Sequence, residues 1–447
     1  MTTAAQTLAE FAAGLRFEQI PDDVLARGRD CIIDTVGAMS YGAQFPWSRL
    51  VIDYAQRYGA GGPCSILGVT DAKVQAPYAA LANGALAHAF EQDSVRDPGA
   101  GAHPGATVLP ALLAACEETG VSGRVALTAY VAAVEVLFRI AVASHHSPEH
   151  VGFHAPGLTG PYGSAIAAGL VYGLDAKRLA HALGVAGSLS SGLLAFSKSK
   201  EGAMVKRLHL GRASESGILA ARLAAAGYEG PETVLEGKFG FLDAFGLAEM
   251  NEPAVLTQGL GSEWETRRIC LKRYAAHINA HTPVQSLREL MAEHKFGAAD
   301  VAHLLVEGSE RLMTHHNIPE PADILKAQYS VPFCVAIALH RDPDDPRSFD
   351  ESAVKDPAIR AAAKALELRK RADASSVRSS TVTVTLKDGR KLTKRGDVYR
   401  GMPADPLSRD ELKRKFMLLT GGAGDAASAA RFERLEQMAA APRFSVA

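Results

Sequence analysis

The sequence of 447 residues has few aromatic residues and almost no net charge. Aromatic residues make up 6% of it, and 48 Lys and Arg balance 49 Asp and Glu to a formal net charge of −1. Proteins that bind nucleic acids usually carry a clear basic excess, so this balance argues against a nucleic-acid partner. Any positively charged binding site must therefore be local.

Metal and cofactor motifs are also scarce. The five cysteines form no CxxC pair, which gives little support to a zinc or iron–sulfur site and fits reduced thiols. The sequence contains no GxSxG elbow, Walker loop, dinucleotide fingerprint or HExxH motif. Redox, phosphoryl-transfer and zinc-hydrolase chemistry therefore lose support, and we expect no bound metal.

Targeting signals are missing as well. The first residues, MTTAAQTLAEFAAG, contain neither a basic start nor a long apolar stretch, so we expect no signal peptide. No run of about 18 apolar residues is free of charge, so we expect no membrane span. We expect a cytoplasmic protein.

The first part of the sequence has a helical pattern. From about residue 5 to residue 265, apolar residues recur at spacings of three and four, and Gly/Pro clusters separate the segments. Alanine is abundant, and many small residues allow helices to approach closely. The pattern predicts a large all-helical domain over residues 1–265.

The pattern changes after residue 265. The segment 301–309 reads as a strand, and 380–396 alternates Thr and Val before an Asp-Gly turn, which is typical of a hairpin. Helical patterns lie between these strands and again in the last 40 residues. We therefore predict a mainly α protein with a smaller α+β domain at 266–404 and C-terminal helices (405–447) that pack back on the first domain.

The segment HAFEQDSVRDPGAGAHPG (88–105) gathers titratable side chains around a Gly/Pro loop. It contains His88, Glu91, Asp93 and His103, and loops of this kind present side chains to clefts. His103 lies at the start of a predicted helix, where the helix dipole favours a neutral imidazole. A solvated connection between two helices is the alternative.

A second histidine-rich segment is SHHSPEHVGFHAPG (144–157). The spacing of His146, His150 and His154 resembles metal ligation on one helix face, but Pro148 and Gly152 interrupt that helix. A single functional histidine, His154, is the better interpretation.

The most basic segment is SKSKEGAMVKRLHLGRAS (197–214). Lys198, Lys200, Lys206 and Arg207 lie within ten residues, and such a cluster suits an anionic substrate with more than one carboxylate. A solvated helix edge is the alternative. We expect Lys206 to contact substrate and Arg207 to be an ordinary surface or dimer-contact charge.

Taken together, six segments resemble the MmgE/PrpD family, in the family's order and across most of residues 80–340. They are HAFEQDSV, GAHPGATVLPALLAACE, GFHAPGLTGPYGSAIAAGLVYGLD, KRLHLGRASESGILAARLAAAGYEGP, LKRYAAHINAH and YSVPFCVAIAL. The resemblance implies a large helical domain, a smaller α+β lid domain, a homodimer and an active site without a cofactor. Family members dehydrate, decarboxylate or epimerise small polycarboxylates such as methylcitrate, cis-aconitate and iminodisuccinate.

The resemblance also implies roles for individual residues. The family's two active-site histidines fall on His103 and His154, which we expect to move protons. Its lysines fall on Lys206 and Lys272, which we expect to hold carboxylates and to stabilise a carbanion next to a carboxylate. We also expect the nearby side chains to contact substrate: Glu91, Asp93, Lys198 and Lys200.

The sequence departs from the family pattern at four positions. The pattern H-x-x-D-x-D-D-T becomes a segment with Glu91, Ser94 and Val95, and a later tyrosine becomes Phe333. Loss of these acids and hydroxyls favours epimerisation, which needs only proton removal and return. We therefore expect an epimerase of an iminodisuccinate-like imino acid; a dehydratase or decarboxylase of a methylcitrate- or aconitate-like tricarboxylate is the alternative, and a non-catalytic helical scaffold is a third.

Overall fold

The computed structural model describes residues 2–69, 73–199, 204–372, 376, 378–422 and 424–446. Helices dominate the chain up to residue 245. They are α1 (Ala4–Gly14), α2 (Asp22–Gly42), α3 (Pro46–Tyr58), α4 (Ala76–Ala87), α5 (Pro104–Thr119), α6 (Gly123–Ala143), α7 (Ser147–His150), α8 (Ala155–Val171), α9 (Ala176–Ser188), α10 (Val205–Ala225) and α11 (Phe241–Phe245).

The second part of the chain mixes short helices with strands. Its helices are α12 (His281–His294), α13 (Glu310–His315), α14 (Ile324–Tyr329), α15 (Val331–His340), α16 (Glu351–Lys355), α17 (Pro357–Ala365), α18 (Arg409–Thr420) and α19 (Ala426–Glu436). The strands of the whole chain are β1 (Ala60–Ser65), β2 (Lys73–Val74), β3 (Val95–Arg96), β4 (Ile269–Cys270), β5 (Val301–Gly308), β6 (Glu367–Lys370), β7 (Ser380–Leu386) and β8 (Lys391–Gly396). The prediction of a mainly α fold is confirmed.

The first part differs from an all-helical domain in two ways. Strands β1 and β2 form a small antiparallel pair, and β3 pairs with β4 from beyond residue 265. After α10, the segment 226–268 has only short helical turns, because glycines and prolines recur there and interrupt any longer helix. Apolar spacing alone did not reveal these interruptions.

Small residues set the packing of the central helices. A methyl group added at Gly84 of α4 would lie 2.8 Å from Cα of Gly211 in α10, and one at Gly217 would lie 2.2 Å from Cβ of Ser164 in α8. Side chains larger than hydrogen would therefore separate these helices. Positions of α8 and α10 lie close together in the same order, Gly157 with His209, Gly160 with Ala213 and Ser164 with Gly217, so these two helices run parallel. Thr107, in the first turn of α5, also lies beside Gly160.

Helix α6 is long and apolar enough to cross a membrane by length and composition, but 83% of its apolar window is buried inside the fold. It also carries the buried ion pair Glu135–Arg139. The Glu135 carboxylate accepts hydrogen bonds from the backbone of Glu265 and Thr266, while Arg139 donates to the Glu263 carbonyl. These features make α6 a core helix that anchors the connection between the two parts of the chain.

The main sheet has the strand order β6-β5-β7-β8. Strands β5 and β6 are parallel, and the other two pairings are antiparallel. The strand predicted at 301–309 and the hairpin predicted at 380–396 are confirmed as β5 and as β7 with β8. The turn between β7 and β8 requires Gly389, whose φ is 90°.

The C-terminal helices lie against the first part of the chain. Phe416 of α18 and Phe432 of α19 belong to the same buried apolar cluster as Ile33 and Val36 of α2. Lys415, also buried, donates hydrogen bonds to the Asp34 carboxylate of α2 at 2.6 Å. Helix α18 therefore joins the helical core through both apolar and charged contacts.

Candidate active site

Three helices begin where the candidate site lies. His103 precedes α5 as its N-cap, His154 precedes α8 in the same way, and Lys206 is in the first turn of α10. The shared orientation of these helices therefore brings three distant parts of the sequence to one place. Helix N-termini present free N–H groups and a partial positive charge, which favour an anion there.

The segment after α4 supplies a carboxylate to this cluster. Glu91 lies in the left-handed region with φ 56° and is buried. Its carboxylate accepts a hydrogen bond from Lys206 and another, of 2.9 Å, from Nζ of Lys272. Although burial alone would raise the pKa of Glu91, the charges of the two lysines outweigh it and hold the pKa well below its usual range.

Lys272 reaches the cluster through a strand pairing. Strand β4 ends at Cys270, which pairs with Val95 of β3, so the chain just beyond β4 runs beside the end of the 88–93 segment. Burial alone would lower the pKa of Lys272, but the Glu91 and Asp93 carboxylates outweigh it and raise that pKa. Lys272 is therefore a buried cation.

Asp93 holds two imidazoles at once. Its carboxylate lies 2.8 Å from Nδ1 of His88 and 2.6 Å from Nδ1 of His103, and 3.7 Å from Nζ of Lys272. Although burial favours the neutral acid, the imidazoles and the lysine keep the pKa of Asp93 well below its usual value. Since Asp93 engages Nδ1 of His103, the Nε2 atom is the ring nitrogen left for proton transfer.

The same three residues have the spacing of a metal site. Ligand atoms of His88, Asp93 and His103 all lie within 4.8 Å of one another. The two hydrogen bonds that Asp93 makes to the imidazoles account for this spacing by themselves. Of the histidines first weighed as metal ligands by spacing, His146 pairs with Glu149 and His154 with His209.

His154 is a second buried histidine beside the cluster. Its Nδ1 lies 3.1 Å from Nδ1 of His209, and its ring packs against Phe196. Burial, reinforced by the charge of Lys206, lowers the pKa of His154 well below its usual value. His154 is therefore a neutral imidazole, the form in which it can accept a proton.

Three buried side chains brace the segments that carry the site. Arg207 donates to the Ala89 carbonyl at 3.0 Å and lies over the Trp47 ring, so its predicted surface position is wrong. Gln328 donates to the Phe90 and Ala275 carbonyls. Lys415 donates to the Gln92 and Lys272 carbonyls and thereby links α18 to both site segments.

The structure brings together five of the eight predicted site residues. The clustered ones are Glu91, Asp93, His103, Lys206 and Lys272, with His154 beside them. Lys198 is exposed at the end of the short 3-10 helix Leu194–Lys198, so its contact with substrate stays a prediction. Lys200 lies outside the described residues.

Three of the residues that depart from the family pattern are engaged in packing, strand pairing or hydrogen bonds. Ser94 accepts a hydrogen bond from the Gly105 backbone and lies 3.0 Å from the sulfur of Cys31. Val95 pairs with Cys270 in the β3–β4 ladder, and Phe333 is fully buried in the α+β domain core. None of these three side chains supplies a free hydroxyl to the cluster.

This arrangement is typical of a protein with a buried site for anionic groups: one carboxylate lies between two buried lysines, with histidines beside it. Two domain matches identify the chain more closely: the MmgE/PrpD N-terminal domain over residues 6–253 and the MmgE/PrpD C-terminal domain over residues 274–440. The chain therefore belongs to the MmgE/PrpD family.

Several relatives of the chain are cis-aconitate decarboxylases. The human enzyme is 28% identical over 93% of this chain and 87% of its own length. One from Aspergillus terreus is 28% identical over 96% of this chain and 91% of its own length, and one from its strain NIH 2624 is 31% identical over 74% and 71%. These relatives support the lyase alternative and give no support to the epimerase that the sequence favoured.

The buried histidines predict a loss of stability in mild acid. Burial lowers the pKa of His88 and of His316 to about 4, and that of His277 well below its usual value. The unfolded chain binds these protons near pH 6.5, so stability is present above that pH and is lost as the pH falls towards 4. At pH 5 we expect each such histidine to have removed about 2 kcal/mol from the free energy of unfolding.

Urea unfolding followed by circular dichroism at pH 7, 6 and 5 measures this effect. The His316→Asn variant lacks one of these titrating groups, and its stability should fall less steeply with pH than that of the wild type. A midpoint that stays constant from pH 7 to pH 5 would contradict the expected protonation.

Proposed function

We propose that this protein is a lyase that removes carbon dioxide from a small tricarboxylate resembling cis-aconitate. The observation that carries the proposal is the Glu91 carboxylate, which sits between the ammonium groups of Lys206 and Lys272. A carboxylate held by two lysines, beside a histidine that Asp93 orients, supports the binding of a substrate carboxylate at the same place. The named decarboxylase relatives support the same substrate class.

The chemistry requires one bond to break and one proton to be supplied. The bond between the departing carboxylate and its methylene carbon breaks, and its electron pair forms a new C=C bond. The pair of the old C=C bond moves to the alkene carbon beside a retained carboxylate, and that carbon takes one proton. Carbon dioxide leaves, and the product is a dicarboxylate.

The two lysines and His103 each suit one part of this reaction. Lys206 and Lys272 neutralise the retained carboxylate while negative charge spreads onto its oxygens, which lowers the barrier electrostatically. With Nδ1–H held by Asp93, the proton to be delivered is a second one on Nε2, so the proposed step starts from His103 as an imidazolium and leaves it neutral. Decarboxylation removes no proton from the substrate, so it gives no step to His154, which burial holds neutral.

Epimerisation of an iminodisuccinate-like imino acid is a second candidate function. It is favoured by Ser94, Val95 and Phe333, none of which contributes an acid or a free hydroxyl for a leaving group. Epimerisation removes a proton beside a carboxylate and returns it on the other face, so it needs only the lysines and the two proton-transfer histidines.

Proton NMR in deuterated water separates these candidates. The protein is incubated in turn with cis-aconitate, methylcitrate and iminodisuccinate. We expect cis-aconitate to lose carbon dioxide and to give a product with one deuterium at the newly protonated carbon. Recovered iminodisuccinate with deuterium at its α-carbon and no loss of carbon dioxide would favour the epimerase and overturn the proposed decarboxylation.

Three further properties remain proposals: independence from any cofactor, a homodimer and a cytoplasmic location. The homodimer is supported by the face of α3, where Leu50, Tyr54 and Tyr58 are exposed at successive turns. Sedimentation analysis of the purified chain tests it directly.

A further inference from the structure

Tyr329 lies in the cluster without a role in the chemistry described so far. It is the last residue of α14 in the α+β domain, and its ring faces residues of both parts of the chain. The ring centre is 4.8 Å from Nζ of Lys206 and 4.9 Å from the ring of His277. Glu91, Lys272 and Asp93 all act electrostatically on its phenol.

The backbone around Tyr329 is held firmly to the site segments. The Gln328 side chain donates to the carbonyls of Phe90, at 2.9 Å, and of Ala275, at 3.0 Å. The Gln328 carbonyl accepts a hydrogen bond from the backbone of His277, and the Tyr329 carbonyl lies 2.9 Å from Nδ1 of His316. The ring is therefore fixed relative to the segments that carry Glu91 and Lys272.

The Tyr329 hydroxyl has no hydrogen-bond partner within the part of the chain that the structure describes. Tyr329 is half-buried, and a hydroxyl without a protein partner is free to bond a ligand or water. Burial, together with the charge of Glu91, raises the pKa of Tyr329 well above its usual value, so the group is a neutral O–H donor. A donor held in place beside two lysines is suited to a ligand oxygen.

The other hydroxyl groups close to His103 are already engaged. Ser94 contacts Cys31 and the Gly105 backbone, and Thr107 donates to the His103 carbonyl. Phe333, four residues beyond Tyr329, has no hydroxyl and is fully buried. The Tyr329 hydroxyl has no such hydrogen bond among the described residues and is therefore open to substrate.

We propose that Tyr329 is a further catalytic residue, whose hydroxyl donates a hydrogen bond to an oxygen of the retained substrate carboxylate as negative charge develops there. This role depends on the proposed function in one respect: the reaction must develop negative charge on a carbon next to a carboxylate. Decarboxylation and epimerisation both produce that charge, so the inference holds for either reaction. The hydroxyl keeps its proton throughout and acts as a donor only.

The Tyr329→Phe variant tests this proposal, because it keeps the ring against Lys206 and His277 and removes only the hydroxyl. Loss of one such donor typically reduces kcat by about 10²–10³-fold. We expect a fall in kcat of that size, with KM changed by less than about threefold, since the bond strengthens as charge develops. Thermal unfolding compared with the wild type reports whether the fold is kept.

Tyr162→Phe is the matched control. Tyr162 is a fully buried tyrosine in α8 that packs against Phe241, outside the cluster. Removal of its hydroxyl should leave kcat and KM at their wild-type values. The kinetics use whichever carboxylate the wild type turns over fastest. A wild type inactive on cis-aconitate but active on iminodisuccinate overturns the proposed decarboxylation and leaves the Tyr329 comparison valid.

Two results would overturn the role of Tyr329. One is a Tyr329→Phe variant with more than half of the wild-type kcat. The other is a loss confined to KM, which would make the hydroxyl a ground-state binding group. A fall in kcat that the Tyr162→Phe variant does not share supports the proposal.

Discussion

Replacing Lys206 with methionine is expected to reduce kcat/KM on the tricarboxylate by about a thousandfold, the size typical of losing a charged group that stabilises the transition state. Nζ of Lys206 contacts Glu91, lies over the Tyr329 ring and sits at the start of α10, where negative charge is favoured. Methionine has a similar length and no charge. Steady-state kinetics of purified wild type and variant measure the loss.

The fold should survive this substitution. Glu91 keeps its 2.9 Å hydrogen bond from Lys272, so its buried carboxylate retains one cationic partner. We expect the free energy of unfolding to fall by about 1–3 kcal/mol. Loss of helical circular dichroism in the variant would instead give Lys206 a structural role.

Arg212→Met is the matched control for Lys206→Met. Arg212 lies on the same helix, is exposed and pairs with Glu215, so its replacement should leave kcat/KM unchanged. Equal activity of the wild type and Lys206→Met would remove the lysine from the chemistry, whereas no turnover by either protein would support a non-catalytic helical scaffold.

The second large effect is expected for His103→Gln. Removing a general acid typically lowers kcat by about 10²–10⁴-fold. The glutamine amide can still donate to Asp93, so the buried carboxylate keeps a hydrogen bond while the group that transfers a proton is gone. Rapid-quench or steady-state measurement of carbon dioxide release gives kcat directly.

His145→Gln provides the comparison for that variant. His145 is an exposed histidine paired with Glu252 on the surface, and its loss should not alter kcat. A His103→Gln variant with more than a tenth of wild-type kcat would exclude His103 as the proton donor, and His154 would then be the group to test.

Much of the fold was predictable because its causes are local in sequence. Apolar residues at helical spacing and Gly/Pro clusters placed most helices up to residue 225, and the Thr/Val alternation before Asp388 and Gly389 placed the hairpin. The irregular segment after α10 was not predicted, since apolar residues keep a helical spacing there although glycine and proline prevent a long helix.

The sequence identified most residues of the candidate site, but it did not predict which of them contact one another. Motifs identified Glu91 and Lys206 separately, yet their contact joins positions 115 apart in sequence. It depends on the close approach of α4 to α10 at Gly84 and Gly211, which no local pattern specifies. The sequence analysis predicted that Glu91 contacts substrate, but it did not predict the hydrogen bonds of Glu91 with Lys206 and Lys272.

Lys415 shows why some supporting residues escape sequence analysis. In the segment LKRKF (412–416) it looks like one of several solvated charges on a C-terminal helix. It lies three residues after the buried Leu412, however, and so shares the apolar face of α18. That position was the one signal in the sequence that this lysine is buried.

The most direct test is a crystal structure of the slow His103→Gln variant soaked with cis-aconitate. We expect one substrate carboxylate within about 3 Å of Nζ of both Lys206 and Lys272, where it takes over contacts now made by Glu91. The carbon to be protonated should face residue 103. A substrate bound away from both lysines, or a cluster in which Glu91 keeps both contacts at saturating cis-aconitate, would contradict a tricarboxylate site between them.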